Sequence, residues 1–283
     1  MTVKTWQCGR FEFALDRPVL MGVINVTPDS FSDGGQHVAA EAAIKHARQL
    51  IKQGARVIDI GGESSRPGAE PVLAKRELDR IMPVLESLRH ADVALSVDTS
   101  KPEVMRVALD AGADIINDIS GLKDPEAQAL VAEHGRCGVC VMHMQGEPRS
   151  MQQAPAYDDV SAEVFGWLEQ QAQHLVGLGI SASRLSLDPG FGFGKTIEHN
   201  YQLLRDLDRL VALGYPVLIG VSRKSMIGAV TGRPVDQRLA GSLAGAIAGV
   251  YRGARIVRVH DVGATKEALD VWQAVEFGPK ESS

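Results

Sequence analysis

Short runs of Val, Ile and Leu with few polar interruptions recur along this chain. They are separated by stretches in which apolar residues return every three or four positions. The short runs fit strands buried on both faces, and the 3.6-residue spacing fits helices with one apolar side. Strands are predicted near 19–26, 56–61, 94–98, 115–119, 138–143, 185–188, 217–222 and 255–259, after an amino-terminal hairpin in WQCGRFEFAL. Helices are predicted over 37–54, 75–90, 102–112, 124–135, 158–179, 196–214, 236–253 and 265–275. Several stop at a glycine, and the one at 124 opens on Asp124-Pro125, an N-cap followed by proline in the first turn.

Eight strands, each followed by a helix, predict an α/β fold, a TIM-type (β/α)8 barrel with a short N-terminal β-hairpin. An open doubly wound sheet is the competitor, but it rarely needs eight consecutive units. No linker divides the chain, so residues 1–283 are expected to form one domain, with a disordered tail at 278–283. The loops NVTPDSFSDGGQ and GESSRPGAEPV are long and rich in Gly, Ser and Pro, as lids and substrate clamps are.

A net charge of −5 gives no basic footprint for nucleic acid, though a local cationic cluster can still bind an anion. Cys8, Cys137 and Cys140 form no disulfide framework. The C-x-x-C pair lies in a strand-like run that points its two thiols to opposite faces, and no second pair completes a zinc site. The amino terminus lacks the apolar core of a signal peptide, and the longest apolar stretch is too short and glycine-rich to span a bilayer. A cytoplasmic protein that binds neither membrane nor nucleic acid is expected.

The informative residues stand where the apolar runs end, and in parallel α/β sheets ligands bind at that end of the strands. Arg258 and His260 end the eighth run on one face, and Lys224 follows the seventh, which suits an anion site. Asp98, Asn117 and Asp188 end the third, fourth and sixth. Each could be a mere cap or turn former, but together they suit a flat heterocycle with several N–H groups. Asn25 ends the first run, where an amide oxygen could hold Mg²⁺. Met142 and Phe193 are apolar groups near the same rim, either packing or stacking on a ligand. GFGFGKT is no phosphate-binding P-loop, because the first glycine that motif needs is Pro189 here.

In order, NVTPDSFSDGG, DIGGESSRPGA, SVDTSKPEV, INDISG, LDPGFGFGK, SRKSMIG and RVHDV closely resemble the dihydropteroate synthase family, from about Arg17 to Val271. The resemblance implies a barrel that joins 7,8-dihydropterin-6-ylmethyl diphosphate to p-aminobenzoate and releases pyrophosphate, with Mg²⁺ as cofactor. By the family pattern Asp98, Asn117, Met142, Asp188, Lys224 and Arg258 hold the pterin, and Asp98, Lys224 and Arg258 serve the chemistry. Asn25 binds the metal, and Asn25, Ser65, Arg258 and His260 hold the diphosphate. Phe31, Ser65, Arg66, Pro67, Phe193, Lys224 and Ser225 enclose p-aminobenzoate. Ser65 departs from the Thr more usual in the family, which implies altered loop packing with activity kept. The resemblance also implies a homodimer.

Two alternatives stand beside this reading. Pterin-binding barrels that move a methyl group from methyltetrahydrofolate to a corrinoid share the Asp and Asn rim, but they need no diphosphate site. A catalytically silent pterin binder is the other, although nothing needed for turnover is missing.

Overall fold

The computed structural model describes residues 4–26, 35–64 and 68–279, with side chains omitted at 35–37. The hairpin forms as expected: β1 (Thr5–Cys8) pairs antiparallel with β2 (Phe11–Ala14). Alternation of strand and helix then follows in β3 (Val19–Asn25), α1 (Gly35–Lys52), β4 (Val57–Gly61), α2 (Ala74–Leu88), β5 (Ala94–Asp98) and α3 (Pro102–Asp110). It continues through β6 (Ile115–Asp118), α4 (Pro125–His134), β7 (Gly138–Met142), α5 (Val160–Gly177) and β8 (Leu185–Asp188). The last part holds α6 (Ile197–Arg205), α7 (Leu207–Val211), β9 (Leu218–Ile219), α8 (Ser225–Thr231), α9 (Leu239–Tyr251), β10 (Ile256–Val259) and α10 (Val262–Phe277).

The eight long-range strands run parallel in the order β8-β7-β6-β5-β4-β3-β10-β9. A parallel bridge between Leu187 and Val217 brings the two ends together, so the sheet curls into a barrel as predicted. Alternation along the strands then sorts the core in two. Outward positions such as Ile58, Leu95, Val97, Ile116, Val139 and Leu187 pack under the helices. Inward positions Val19, Met21, Val57, Ala94, Ile115, Cys140, Leu218 and Ile256 meet Trp6, Cys8 and Phe13 of the hairpin. The hairpin therefore seals the floor of the barrel and leaves the carboxyl-end mouth as its open end. Cys137 and Cys140 fall in these two separate cores, as the alternation required, and all three cysteines are free and buried.

Some boundaries differ from expectation. The helix expected over 196–214 breaks into α6 and α7 at Asp206, whose carboxylate accepts the Ser161 hydroxyl at 2.7 Å. The strand expected over 217–222 is shorter in the structure, pairing with β10 at Leu218–Ile219 and with β8 through the Val217 bridge. Beyond it, Gly220 faces the Arg258 side chain and Arg223 adopts a left-handed backbone (φ 60), so the chain turns away from the sheet. That turn feeds α8, a short helix that lies before the one expected over 236–253. The predicted cap is present: Asp124 accepts the Glu126 N–H at the start of α4. Of the expected tail, residues 280–283 lie outside the described residues.

Candidate active site

Strand register sets the rim. Asn25, Gly61, Asp98 and Asn117 are successive partners across β3, β4, β5 and β6, and Met142 pairs with Asp188 across β7 and β8. Gly61 is a gap in this row, because a Cβ there would touch both the Asn25 Oδ1 and the Asp98 side chain. The amide of Asn25 and the carboxylate of Asp98 thus face one space.

Two residues before Gly61, on the same inward face, lies Asp59, fully buried and not singled out by sequence. It accepts from Ser96 Oγ at 2.6 Å, Asn117 Nδ2 at 3.1 Å and Arg258 Nε at 2.7 Å. Arg258 also donates through Nη2 to Asp98 at 2.8 Å. Burial works against the charge of Arg258, but Asp59 and Asp98 more than offset it. Because the Asn117 N–H₂ is committed to Asp59, its carbonyl oxygen is left to face the mouth. Asp98 is pushed up to about 7, mainly by burial, with Arg258 opposing. A lone Asp inside VIDIG, two residues before a rim glycine, was the available signal for Asp59.

On the opposite wall, Asp188 Oδ1 accepts the Gly190 N–H at 2.7 Å. Burial pushes Asp188 up, and Lys224 is the first group opposing it. Lys224 donates to the Phe191 carbonyl, and its Nζ lies 4.8 Å from the centre of the Phe193 ring. Burial lowers Lys224 to about 8, with Asp188 supporting its charge. His260 Nδ1 is 3.1 Å from Ser222 Oγ, and burial, reinforced by Arg258 and Arg223, lowers it to about 4. Ser225 opens α8 directly after Lys224. An ion pair of Arg223 with Asp261 ties the loop carrying Lys224 to the one carrying His260.

Asn25, Asp98, Asn117, Met142, Asp188, Phe193, Lys224, Ser225, Arg258 and His260 therefore all belong to strand ends or loops at one mouth. Phe31, Ser65, Arg66 and Pro67 lie outside the described residues. A cavity of ≈ 270 Å³ opens beside Asp98, bounded by Glu63, Glu77, Thr99, Lys101 and Ile119. Lys101 bridges the carboxylates of Glu63 and Glu77, a support for the β4 and β5 loops that sequence reading also missed. Among the described residues no group of three or more His, Cys, Asp or Glu side chains could cage a metal. No helix among them is long and apolar enough to cross a membrane.

A barrel mouth in which buried acceptors are interleaved with the cations Arg258 and Lys224, with a thioether beside Asp188, defines a binder of flat, nitrogen-rich anionic ligands. Residues 21–260 match the family described as pterin binding enzyme. A dihydropteroate synthase of Neisseria meningitidis serogroup C is 50% identical over 279 residues, 97% of this chain and 99% of that protein. The Xanthomonas albilineans dihydropteroate synthase with 4-aminobenzoic acid superposes with a TM-score of 0.92 at 50% identity, covering 98% of this chain and 100% of that one. The Burkholderia cenocepacia enzyme complexed with 7,8-dihydropteroate gives 0.87 at 47% identity, covering 98% of each. The chain belongs to the dihydropteroate synthases, transferases of folate biosynthesis.

Proposed function

We propose that this mouth itself carries the condensation of 7,8-dihydropterin-6-ylmethyl diphosphate with p-aminobenzoate, giving 7,8-dihydropteroate and pyrophosphate. The observation that carries the assignment is the Asp59–Asn117–Asp98–Arg258 lattice, which fixes acceptors and a cation at the level where register also places Asn25. Asp98, the Asn117 carbonyl and Asp188 accept the pterin N–H groups, while Met142 and Arg258 lie against its faces. Lys224 contacts both halves of the ternary complex, with Phe193 and Ser225 beside the aryl carboxylate. Phe31, Ser65, Arg66 and Pro67 are assigned to the same subsite on family pattern alone.

The methylene–oxygen bond to the diphosphate breaks ahead of attack, because the carbocation is conjugated with the ring. Ionised Asp98 opposes that growing positive charge. Arg258 and neutral His260 receive the departing diphosphate, and the aryl amine closes the new C–N bond and gives up one N–H proton to water, without a covalent enzyme intermediate. Mg²⁺, when bound, would neutralise charge on the leaving group. Asn25 would hold it through a single hard amide oxygen that faces the space beside Asp98, which suits an ion that keeps most of its waters.

Release of pyrophosphate from the pterin diphosphate, dependent on added p-aminobenzoate, tests the reaction. Methyl transfer to cobalamin without that release would favour the corrinoid alternative. The homodimer is supported by exposed Val230, Val235, Leu239 and Tyr251 near a groove of ≈ 500 Å³ between α6, α8 and α9. Light scattering that reports a monomer at micromolar concentration would refute it.

A further inference from the structure

The loop between β8 and α6 carries a residue that the chemistry above does not use. Lys195 is almost wholly buried, and its ammonium donates to the Phe193 carbonyl at 2.9 Å and the His143 carbonyl at 3.2 Å. Its third partner is His143 Nδ1 at 3.1 Å. Three N–H groups meet three uncharged acceptors, and no carboxylate among the described residues forms an ion pair with it. Burial keeps His143 neutral by lowering it to about 3, so that its ring nitrogen can accept.

A buried ammonium without a counter-ion is costly, and a methionine would fill a similar volume without that cost. Its presence has a geometric reason. Each carbonyl from Gly190 to Lys195 is taken by a specific donor. Phe193 N–H holds Gly190, Lys224 holds Phe191, Gln152 holds Gly192, Lys195 holds Phe193, Tyr157 holds Gly194 and Asn200 holds Lys195. The Lys195 anchor is the one attached to Phe193, whose ring lies over Lys224. It also ties that residue to the end of β7 through His143.

We propose that Lys195 is a positioning residue for the incoming aryl amine, acting through Phe193 to hold the ring wall of the p-aminobenzoate subsite beside Lys224. The inference rests on the reading of the rim given above. Burial first, against the support of Asp188, lowers Lys195 to about 7, so the ammonium with all three N–H bonds is fully present below that pH.

A double-mutant cycle tests it. Lys195→Met should raise the p-aminobenzoate KM about tenfold and leave the pterin diphosphate KM within about threefold. In a Phe193→Ala background the same change should add nothing, since the group it acts through is gone. An unchanged KM for Lys195→Met, or an equal rise in both backgrounds, overturns the proposal. Should Phe193→Ala itself leave the p-aminobenzoate KM untouched, the reading of the subsite falls and the inference with it. If Lys195→Met shows no cooperative thermal transition, the cycle run with Lys195→Leu gives the same decision, because leucine likewise removes every donor to the Phe193 and His143 carbonyls.

Discussion

Asp59 is the residue on which the rim hangs. Its carboxylate receives a hydroxyl, an amide and a guanidinium from three other strands. Asp59→Ala should destabilise the protein by about 3–5 kcal/mol, because Arg258 is left with one carboxylate instead of two in a buried setting. Urea unfolding measures the loss. Asp98→Asn should behave differently: the fold persists, and kcat/KM for the pterin diphosphate falls about a hundredfold or more. Since burial raises Asp98 to about 7, the ionised form is lost as the pH drops through that value. The rate should therefore decline on the acid side of about 7 in the native enzyme, with that limb absent from the Asn variant. The rim residues Asp98, Asn117 and Asp188 were legible in sequence because each interrupts an apolar run at its end. Asp59 was not, because a carboxylate inside a strand looks like a lapse in the pattern until its partners, up to 199 residues away, are known.

At the scale of elements, the strands were readable because burial on both faces leaves almost no polar residue within them. The hairpin was readable too, but its position was not: nothing in WQCGRFEFAL says that it plugs the barrel. Trp6 is completely buried there, with its indole N–H on the Arg184 carbonyl at 3.2 Å. Trp6→Ala should cost about 3–5 kcal/mol of stability. KM values within about twofold of the native enzyme are expected, since the floor lies apart from the rim, and steady-state kinetics at a permissive temperature would show this. The seventh strand was overestimated because PVLIGV carries no polar side chain, whereas its later residues leave the sheet. The β8–α6 loop holds its shape through glycine. Gly190 has φ +68, and a Cβ there would enter the van der Waals envelope of the His143 carbonyl.

For the molecule as a whole, buried histidines link stability to acidity. His143 and His260 are held neutral, lowered to about 3 and about 4 mainly by burial. Above pH 6.5 the imidazoles are neutral in both folded and unfolded chains, so neither contributes a penalty. Below it the unfolded chain takes up the proton first, and stability falls until the folded value is reached. Between pH 6.5 and 5 that amounts to about 2 kcal/mol per histidine. Asp98 acts in the opposite sense, since its raised value adds stability as the pH falls below about 7. The clean measure is thus a difference: from pH 7 to pH 5 the native protein should lose about 2 kcal/mol more than His143→Gln.

The Arg258–Asp59 contact has a further consequence for how the enzyme comes into being. The guanidinium lies on β10, the last strand of the barrel, and its acceptor lies on β4, the second strand of that barrel. While the chain is still emerging from the ribosome, Asp59 has no cationic partner, and a partly made barrel holds an unneutralised charge at its centre. Docking of β10 alongside β3 supplies that partner in the same step that joins the two ends of the polypeptide. A product truncated before residue 256 lacks Arg258 and should therefore release no pyrophosphate, which an activity assay of that product would check.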